Sequence, residues 1–376
     1  MPVALCGARI FTGERFLDDH AVVFEGARIV ELVPVAQSRS AERVALGGGL
    51  LAPGFIDVQV NGGGGALLND NPCVATVRTI ATSHRRFGTV GMLPTVITDA
   101  PQVIAKAVAS VSQAMFEDVP GVLGIHIEGP FLDVARKGAH AARFIREMDE
   151  ADADEIADFA AKCPVMLTLA PNRVQPELVR RLAQAGVLVS LGHSDATYAE
   201  VRRVFDAGAR AVTHLYNAMS QLNGREPGLV GAALADAESF AGIIADGHHV
   251  HDAALRVAFA ARPKSRMMLI TDAMPTAAGG PDSFDLQGRR VTRSNGRLAL
   301  SDGTLAGSDL TMDAAVRYCV GVLGQDLADV LRMASLNPAS FLRRDNEMGR
   351  IAPGYLASMV LLDEELQVKA TWIDGR

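Results

Sequence analysis

The chain of 376 residues is long enough for one large domain or two ordinary ones. At 49% hydrophobic and 21% charged residues, it has the makeup of a soluble globular protein. A formal charge of -7 argues against nucleic acid or an anionic membrane as a partner, since either calls for a basic face.

The N-terminal Met-Pro-Val-Ala-Leu-Cys-Gly-Ala-Arg lacks the basic-then-apolar layout of a signal peptide. No apolar run reaches the ~18 residues of a membrane span. Cys6, Cys73, Cys163 and Cys319 are scattered without a CxxC pair, and they read as buried thiols of a reducing compartment. The protein is therefore expected to be soluble and cytoplasmic.

Residues 1–50 show strand-like alternation and turns, as in Ala21-Val-Val-Phe-Glu-Gly-Ala-Arg-Ile-Val. Short apolar runs then recur at Phe55–Val60, Val90–Val96, Val122–Ile127, Val165–Ala170, Val187–Leu191, Ala211–Thr213, Phe240–Ala245 and Met267–Ile270. Near-continuous runs of this length fit parallel strands covered on both faces. The stretches between them have helical spacing. In Gln175–Gly186, Pro176 suits a first turn and Gly186 a C-terminal cap, while Leu178 and Leu182 share a face. Tyr198–Ala207 repeats the pattern. Eight runs alternating with helices predict a (β/α)8 TIM-type barrel over residues 51–349, with a doubly wound sheet as the alternative. Ser294–Leu305 reads as an inserted β-hairpin. Residues 350–376 return to strand-like alternation and are expected to join residues 1–50 in a small β-sandwich domain formed by both chain ends.

In a barrel, residues at the C-terminal ends of the strands line the active site. Those positions are Gln59 and Asn61, Thr95, Glu128, Asn172, His193, His214, Asp246 with His249, and Asp272. Singly, Glu128 reads as a strand-end carboxylate with a basic neighbour, and His193 and His214 as bonded core histidines. Together they make two imidazoles and a carboxylate from three strands, a donor set that holds a catalytic divalent metal and leaves a position for water. Two His and a Glu suit zinc first, with iron, manganese or cobalt also fitting. Asp272 caps a helix on one reading; beside an activated water it serves as general base and acid on the other. His140 and His249 are candidates for polarising a carbonyl or holding hydroxyls. His248 and His251 read as solvated loop residues. Arg225 either forms a surface ion pair or binds a phosphate or carboxylate. His126 is read as turned the opposite way from Glu128 on the same strand, and so as packing.

Taken in order, Leu-Ala-Pro-Gly-Phe-Ile-Asp-Val-Gln, Gly-Ile-His-Ile-Glu-Gly-Pro-Phe, Leu-Gly-His-Ser-Asp-Ala, Thr-His-Leu-Tyr-Asn-Ala-Met, Gly-Arg-Glu-Pro-Gly, Ile-Ala-Asp-Gly-His-His-Val and Thr-Asp-Ala-Met resemble the N-acetylglucosamine-6-phosphate deacetylases of the amidohydrolase superfamily. The resemblance runs from about residue 50 to Asn337-Pro-Ala. It implies that Glu128, His193 and His214 are metal ligands and Asp272 the catalytic acid/base, with His140 aiding catalysis. It further implies substrate contacts by Ala139, His140, Asn217, Ala218, Arg225, His249, Leu305, Ala306 and Gly307. The substrate it implies is a small amino-sugar phosphate. In such enzymes the arginine can reach a neighbouring subunit's site, so the resemblance implies a homodimer or larger homo-oligomer.

Amidohydrolases acting on cyclic amides or purines usually carry His-x-His on the first strand. Here that strand reads Gln59-Val-Asn61, and no lysine falls at a strand end between residues 122 and 214. An amide ligates transition metals poorly beside imidazole, so one divalent metal per subunit is expected. A silent sugar-phosphate binding protein is the rival of a different class.

Overall fold

The structure is a computed structural model, described for residues 1–38 and 42–376. The apolar runs form a parallel sheet of β1 (Phe55–Val60), β2 (Thr89–Ile97), β3 (Ile125–Glu128), β4 (Val165–Leu169), β5 (Leu188–Leu191), β6 (Ala211–Val212), β7 (Phe240–Ile243) and β8 (Met267–Leu269). Neighbours in the sheet follow chain order throughout. The ring closes just past β8, where Asp272 N donates to Gln59 O and Asn61 N donates to Ala273 O, each at 2.9 Å. This closure excludes the doubly wound alternative, whose sheet stays open. Beneath it the Asp57 carboxylate, fully buried, accepts from Thr271 N at 3.3 Å and Thr271 Oγ1 at 2.5 Å.

The helices form where their local signals lie. Pro176 starts the helix Pro176–Gln184, which buries Leu178, Val179 and Leu182, and Gly186 follows it at φ 92°. Tyr198–Asp206 opens on a capping box in which Thr197 and Glu200 satisfy each other's backbone N–H. Among the described residues, no helix is long and apolar enough to cross a membrane.

Both chain ends contribute sheets of their own. One orders Arg28–Pro34, His20–Glu25, Val3–Cys6 and Glu42–Ala45; the other orders Val368–Trp372, Met359–Leu362, Leu50–Pro53, Arg9–Phe11 and Phe16–Leu17. Leu5, Ile10, Val22 and Leu51 pack with Met359 and Leu361 in a core separate from the barrel's, which makes the two sheets a sandwich. The inserted element is three-stranded, not a hairpin over 294–305: Ser283–Leu286, Arg289–Ser294 and Arg297–Ala299 pair in succession. Arg289–Ser294 buries only Val291, so no apolar run announced it. Of the four free cysteines, Cys163 and Cys319 are buried; Cys6, ending a strand, and Cys73, preceding a helix, are partly exposed, which corrects the expectation for those two.

Candidate active site

A cavity of about 390 Å³ opens at the C-terminal end of the barrel, within the range of small-molecule sites. Its walls include Asn61, Glu128, His140, His193, His214, His249 and Asp272. Glu128 is the last residue of β3, and His193 and His214 each lie two residues past their strands. His193, His214 and Asp272 have φ of 47°, 34° and 52°. Left-handed backbone costs a non-glycine residue roughly 1–2 kcal/mol, and such strain gathers where function fixes a side chain's direction.

Three donor atoms converge. His214 Nε2 is 3.1 Å from Glu128 Oε1 and 2.9 Å from His193 Nε2, while His193 Nε2 is 3.3 Å from the same Glu128 oxygen. Ligand atoms held ~2.0–2.1 Å from a tetrahedral ion are about 3.3 Å apart, so this set fits a small divalent metal. The Nδ1 of His193 lies 3.0 Å from the Arg136 carbonyl, which can only accept, so its proton sits there and Nε2 offers a lone pair. His140 Nε2 borders the same space at 3.9 Å from Glu128 Oε2, and its ligand atom lies within 4.8 Å of those of Glu128 and His193. The shorter spacings belong to His214.

Two amides tie the carboxylates together. Gln59 Nε2 donates to Glu128 Oε1 at 3.0 Å and to Asp272 Oδ1 at 3.2 Å, and Asn61 Nδ2 donates to Asp272 Oδ1 at 2.6 Å. An amide N–H of Gln59 therefore stands between the Glu128 and Asp272 carboxylates. Burial alone would raise the Glu128 carboxyl, but the imidazoles of His193 and His214 beside it hold it well below the usual carboxylate range. Asp272 meets the cavity surface; enclosure by protein and then the charge of Glu128 push it up to about 6. His140 is held well below the usual imidazole range by burial and by His193. His249 Nδ1 is fixed on Asp246 Oδ2 at 2.6 Å.

The other anticipated residues divide. Ala139, Asn217, Ala218, Leu305 and Gly307 line the cavity with His140 and His249. Ala306 is fully buried behind it, and Arg225 is exposed and outside its walls. Thr95 lies inside the barrel, not at the rim, bonded to Val60 N at 2.9 Å. Asn172 donates to Asp133 Oδ2 at 2.6 Å and does not line the cavity. His251 accepts from Ala253 N at the start of helix Asp252–Ala261. His126 is corrected outright: residues two apart on a strand share a face, so it points inward with Glu128, its Nε2 2.7 Å from Thr168 Oγ1. Residues not anticipated are Arg136, whose carbonyl orients His193, and Thr98, whose Oγ1 lies 2.8 Å from His140 Nδ1 and 3.1 Å from Glu128 O. Arg136 ends a single 3-10 turn, Val134–Arg136, with no periodic signal, and Thr98 directly follows β2, where the end of the apolar run could have pointed to it.

Residues 50–376 match the amidohydrolase family, and residues 3–51 match the NagA composite domain. Over 329 residues the chain is 43% identical to N-acetylgalactosamine-6-phosphate deacetylase from Shewanella sp. (strain ANA-3), covering 87% of this chain and 82% of that one. It is 39% identical to the protein of the same description from Escherichia coli O157:H7, covering 100% and 99%. The crystal structure of N-acetylglucosamine-6-phosphate deacetylase from Pasteurella multocida superimposes with a TM-score of 0.97 at 32% identity, covering 100% of this chain and 99% of that one. A closed barrel, its buried Glu/His cluster and these likenesses agree: the chain belongs to the amidohydrolase family.

Proposed function

We propose that this chain hydrolyses the acetamide of N-acetyl-D-glucosamine 6-phosphate, releasing acetate and D-glucosamine 6-phosphate in the cytoplasmic breakdown of amino sugars. The observation that carries this reading is the convergence of Glu128 Oε1, His193 Nε2 and His214 Nε2 within 2.9–3.3 Å of one another, beside an Asp272 carboxylate held by two amides. Glu128, His193 and His214 would hold one divalent ion per subunit, zinc first, since Gln59 and Asn61 offer amides where a second ion would need imidazoles. Such an ion supplies an acidified water and polarises a carbonyl.

The chain's own residues do the rest. Asp272, titrating at about 6, is mostly ionised at neutral pH and accepts a proton from the attacking water. It returns that proton to the amide nitrogen as the C–N bond breaks, so the amine leaves as R–NH2; the water oxygen stays in the acetic acid formed, whose proton then passes to the amine to give acetate and an ammonium group. His140, on the cavity wall beside Glu128, would help to orient the acetamide carbonyl, where charge develops. His249, set by Asp246, takes sugar hydroxyls together with Asn217 and the backbone of Ala218, while Ala139, Leu305 and Gly307 shape more of the wall with Ala306 packed behind them. Arg225, exposed and outside the cavity of its own protomer, would take the 6-phosphate in a neighbouring subunit, which calls for a homodimer or larger assembly. Residues 1–50 and 350–376 would form the small β domain around a barrel of residues 51–349.

The galacto epimer is the second reading. It is favoured by the 43% and 39% identities to N-acetylgalactosamine-6-phosphate deacetylases, against 37% for the N-acetylglucosamine-6-phosphate deacetylase of Homo sapiens. The test is acetate and free amine counted from both 6-phosphates and from their unphosphorylated sugars. One acetate per amine from a phosphorylated sugar is expected; no turnover of either 6-phosphate would defeat the reading.

A further inference from the structure

The interior of a (β/α)8 barrel is ordinarily filled by branched apolar side chains. Here one layer is polar. Thr95, His126, Thr168, Ser190 and Thr213, from β2 to the end of β6, are all buried to 1% exposure or less. Burying five polar groups is costly unless each is bonded. They form one chain: Thr95 Oγ1 to His126 Nδ1 at 3.2 Å, His126 Nε2 to Thr168 Oγ1 at 2.7 Å, Thr168 to Thr213 at 2.7 Å, and Thr213 to Ser190 at 2.6 Å.

Counting protons gives this chain a direction. If it ran from Thr95 toward Ser190, the Ser190 hydroxyl would end it with a proton and no acceptor, since among the described residues it has no other partner. Run the other way, every donor is used. Ser190 donates to Thr213, Thr213 to Thr168, Thr168 to His126 Nε2, and His126 Nδ1–H to Thr95. The Thr95 hydroxyl ends on the Leu93 carbonyl at 3.3 Å while still accepting from Val60 N at 2.9 Å. Only an imidazole with one proton, on Nδ1, closes this arrangement.

The layer lies directly beneath the proposed metal ligands. His126 shares its strand and face with Glu128, Ser190 is three residues before His193, and Thr213 immediately precedes His214. We propose that His126 is a positioning residue: uncharged and protonated on Nδ1, it joins the strand ends that carry Glu128 and His214, with that of His193 at the margin, into one hydrogen-bonded floor that sets the spacing of Glu128 and His214. This rests on the reading that those three residues hold the ion. It assigns His126 no contact with substrate.

The experiment is zinc affinity by chelator competition, read without turnover, in the full chain and three variants. His126→Leu is expected to weaken zinc binding by about 10–100-fold, the range for groups that orient metal ligands. Ser190→Ala removes only the first donor and leaves every other group paired, so its affinity is expected within about twofold of the parent. Leu167→Ala, an equally buried change between Met166 and Thr168 on the opposite face of β4, is expected to lower Tm but leave zinc affinity alone. Long-range 1H–15N spectra of the zinc-loaded protein are expected to show the His126 proton on Nδ1. Where His126→Leu does not fold, Thr168→Val removes the donor to Nε2 and is expected to weaken zinc by a similar factor. Unchanged affinity in the folded His126 or Thr168 variant, a loss in Ser190→Ala, or a proton on Nε2 overturns the proposal. Failure of the parent chain to bind zinc would instead strike the metal assignment on which it rests.

Discussion

Replacing Asp57 by Asn isolates the energetics of the barrel's seam. The Asp57 carboxyl is fully buried, and burial pushes its pKa up to about 7. In the unfolded chain it titrates near ~3.9. A folded pKa raised by ~3 units means that the native state keeps a proton the unfolded chain has lost, a difference of about 4 kcal/mol at ~1.4 kcal/mol per unit. This stability is whole below pH ~4 and is lost as pH rises through about 7, and between pH 5.5 and 8 the loss is ~2 kcal/mol. The amide of the Asp57→Asn variant copies the neutral acid: its oxygen accepts from Gln59 N and Thr271 N, now 3.1 and 3.3 Å from Oδ1, and its nitrogen donates to Thr271 Oγ1. Denaturant midpoints of both proteins at pH 5.5 and 8, with zinc saturating, read the effect, since titration of every other group cancels in the difference. Asp57→Asn is expected to be a few kcal/mol more stable than the parent at pH 8 and to lack ~2 kcal/mol of its pH dependence. Parallel curves, or a variant weaker than the parent at pH 8, would refute the reasoning.

Three further outcomes follow from the site. Asp272→Asn keeps the hydrogen-bonded frame but cannot take a proton; kcat is expected to fall by about 10²–10⁴-fold with metal content unchanged, and near-normal turnover would end its assignment as base. Arg225→Ala is expected to raise KM for the phosphorylated sugar alone. Mixing it with Asp272→Asn and reassembling the subunits is expected to restore activity, because one shared site then has both groups; no recovery would place Arg225 outside the neighbouring site. Thr98→Val removes the hydroxyl 2.8 Å from His140 Nδ1, and kcat is expected to drop by about tenfold with zinc affinity retained. Weakened zinc there would point to His140 as a ligand.

Much of this was legible in the sequence because a barrel repeats one physical rule. Each buried parallel strand needs a continuous apolar run, and each run ends at the same face, so Glu128, His193, His214 and Asp272 could be read off as the residues where the runs stop. What stayed hidden lacks that repetition. Thr95, Thr168, Thr213 and Ser190 are small hydroxyl residues inside apolar runs, and nothing in their spacing tells that they bond across five strands. His126 lies inside the barrel and not on the packing face, because the two-residue period that puts Glu128 inward puts it inward too. The strand Arg289–Ser294 buries one side chain in six and therefore has no apolar signature. The dual hold of Gln59 on Glu128 and Asp272 spans 69 and 213 residues, a link only the closed ring creates.

Metal-dependent deacetylation is tested most directly by stripping the protein of metal, adding zinc in measured equivalents, and following acetate release from N-acetyl-D-glucosamine 6-phosphate and its galacto epimer. Activity is expected to be absent without metal, to rise linearly and to level off at one equivalent per subunit. Undiminished acetate release from the metal-free protein, or none from either sugar phosphate at any occupancy, would contradict it.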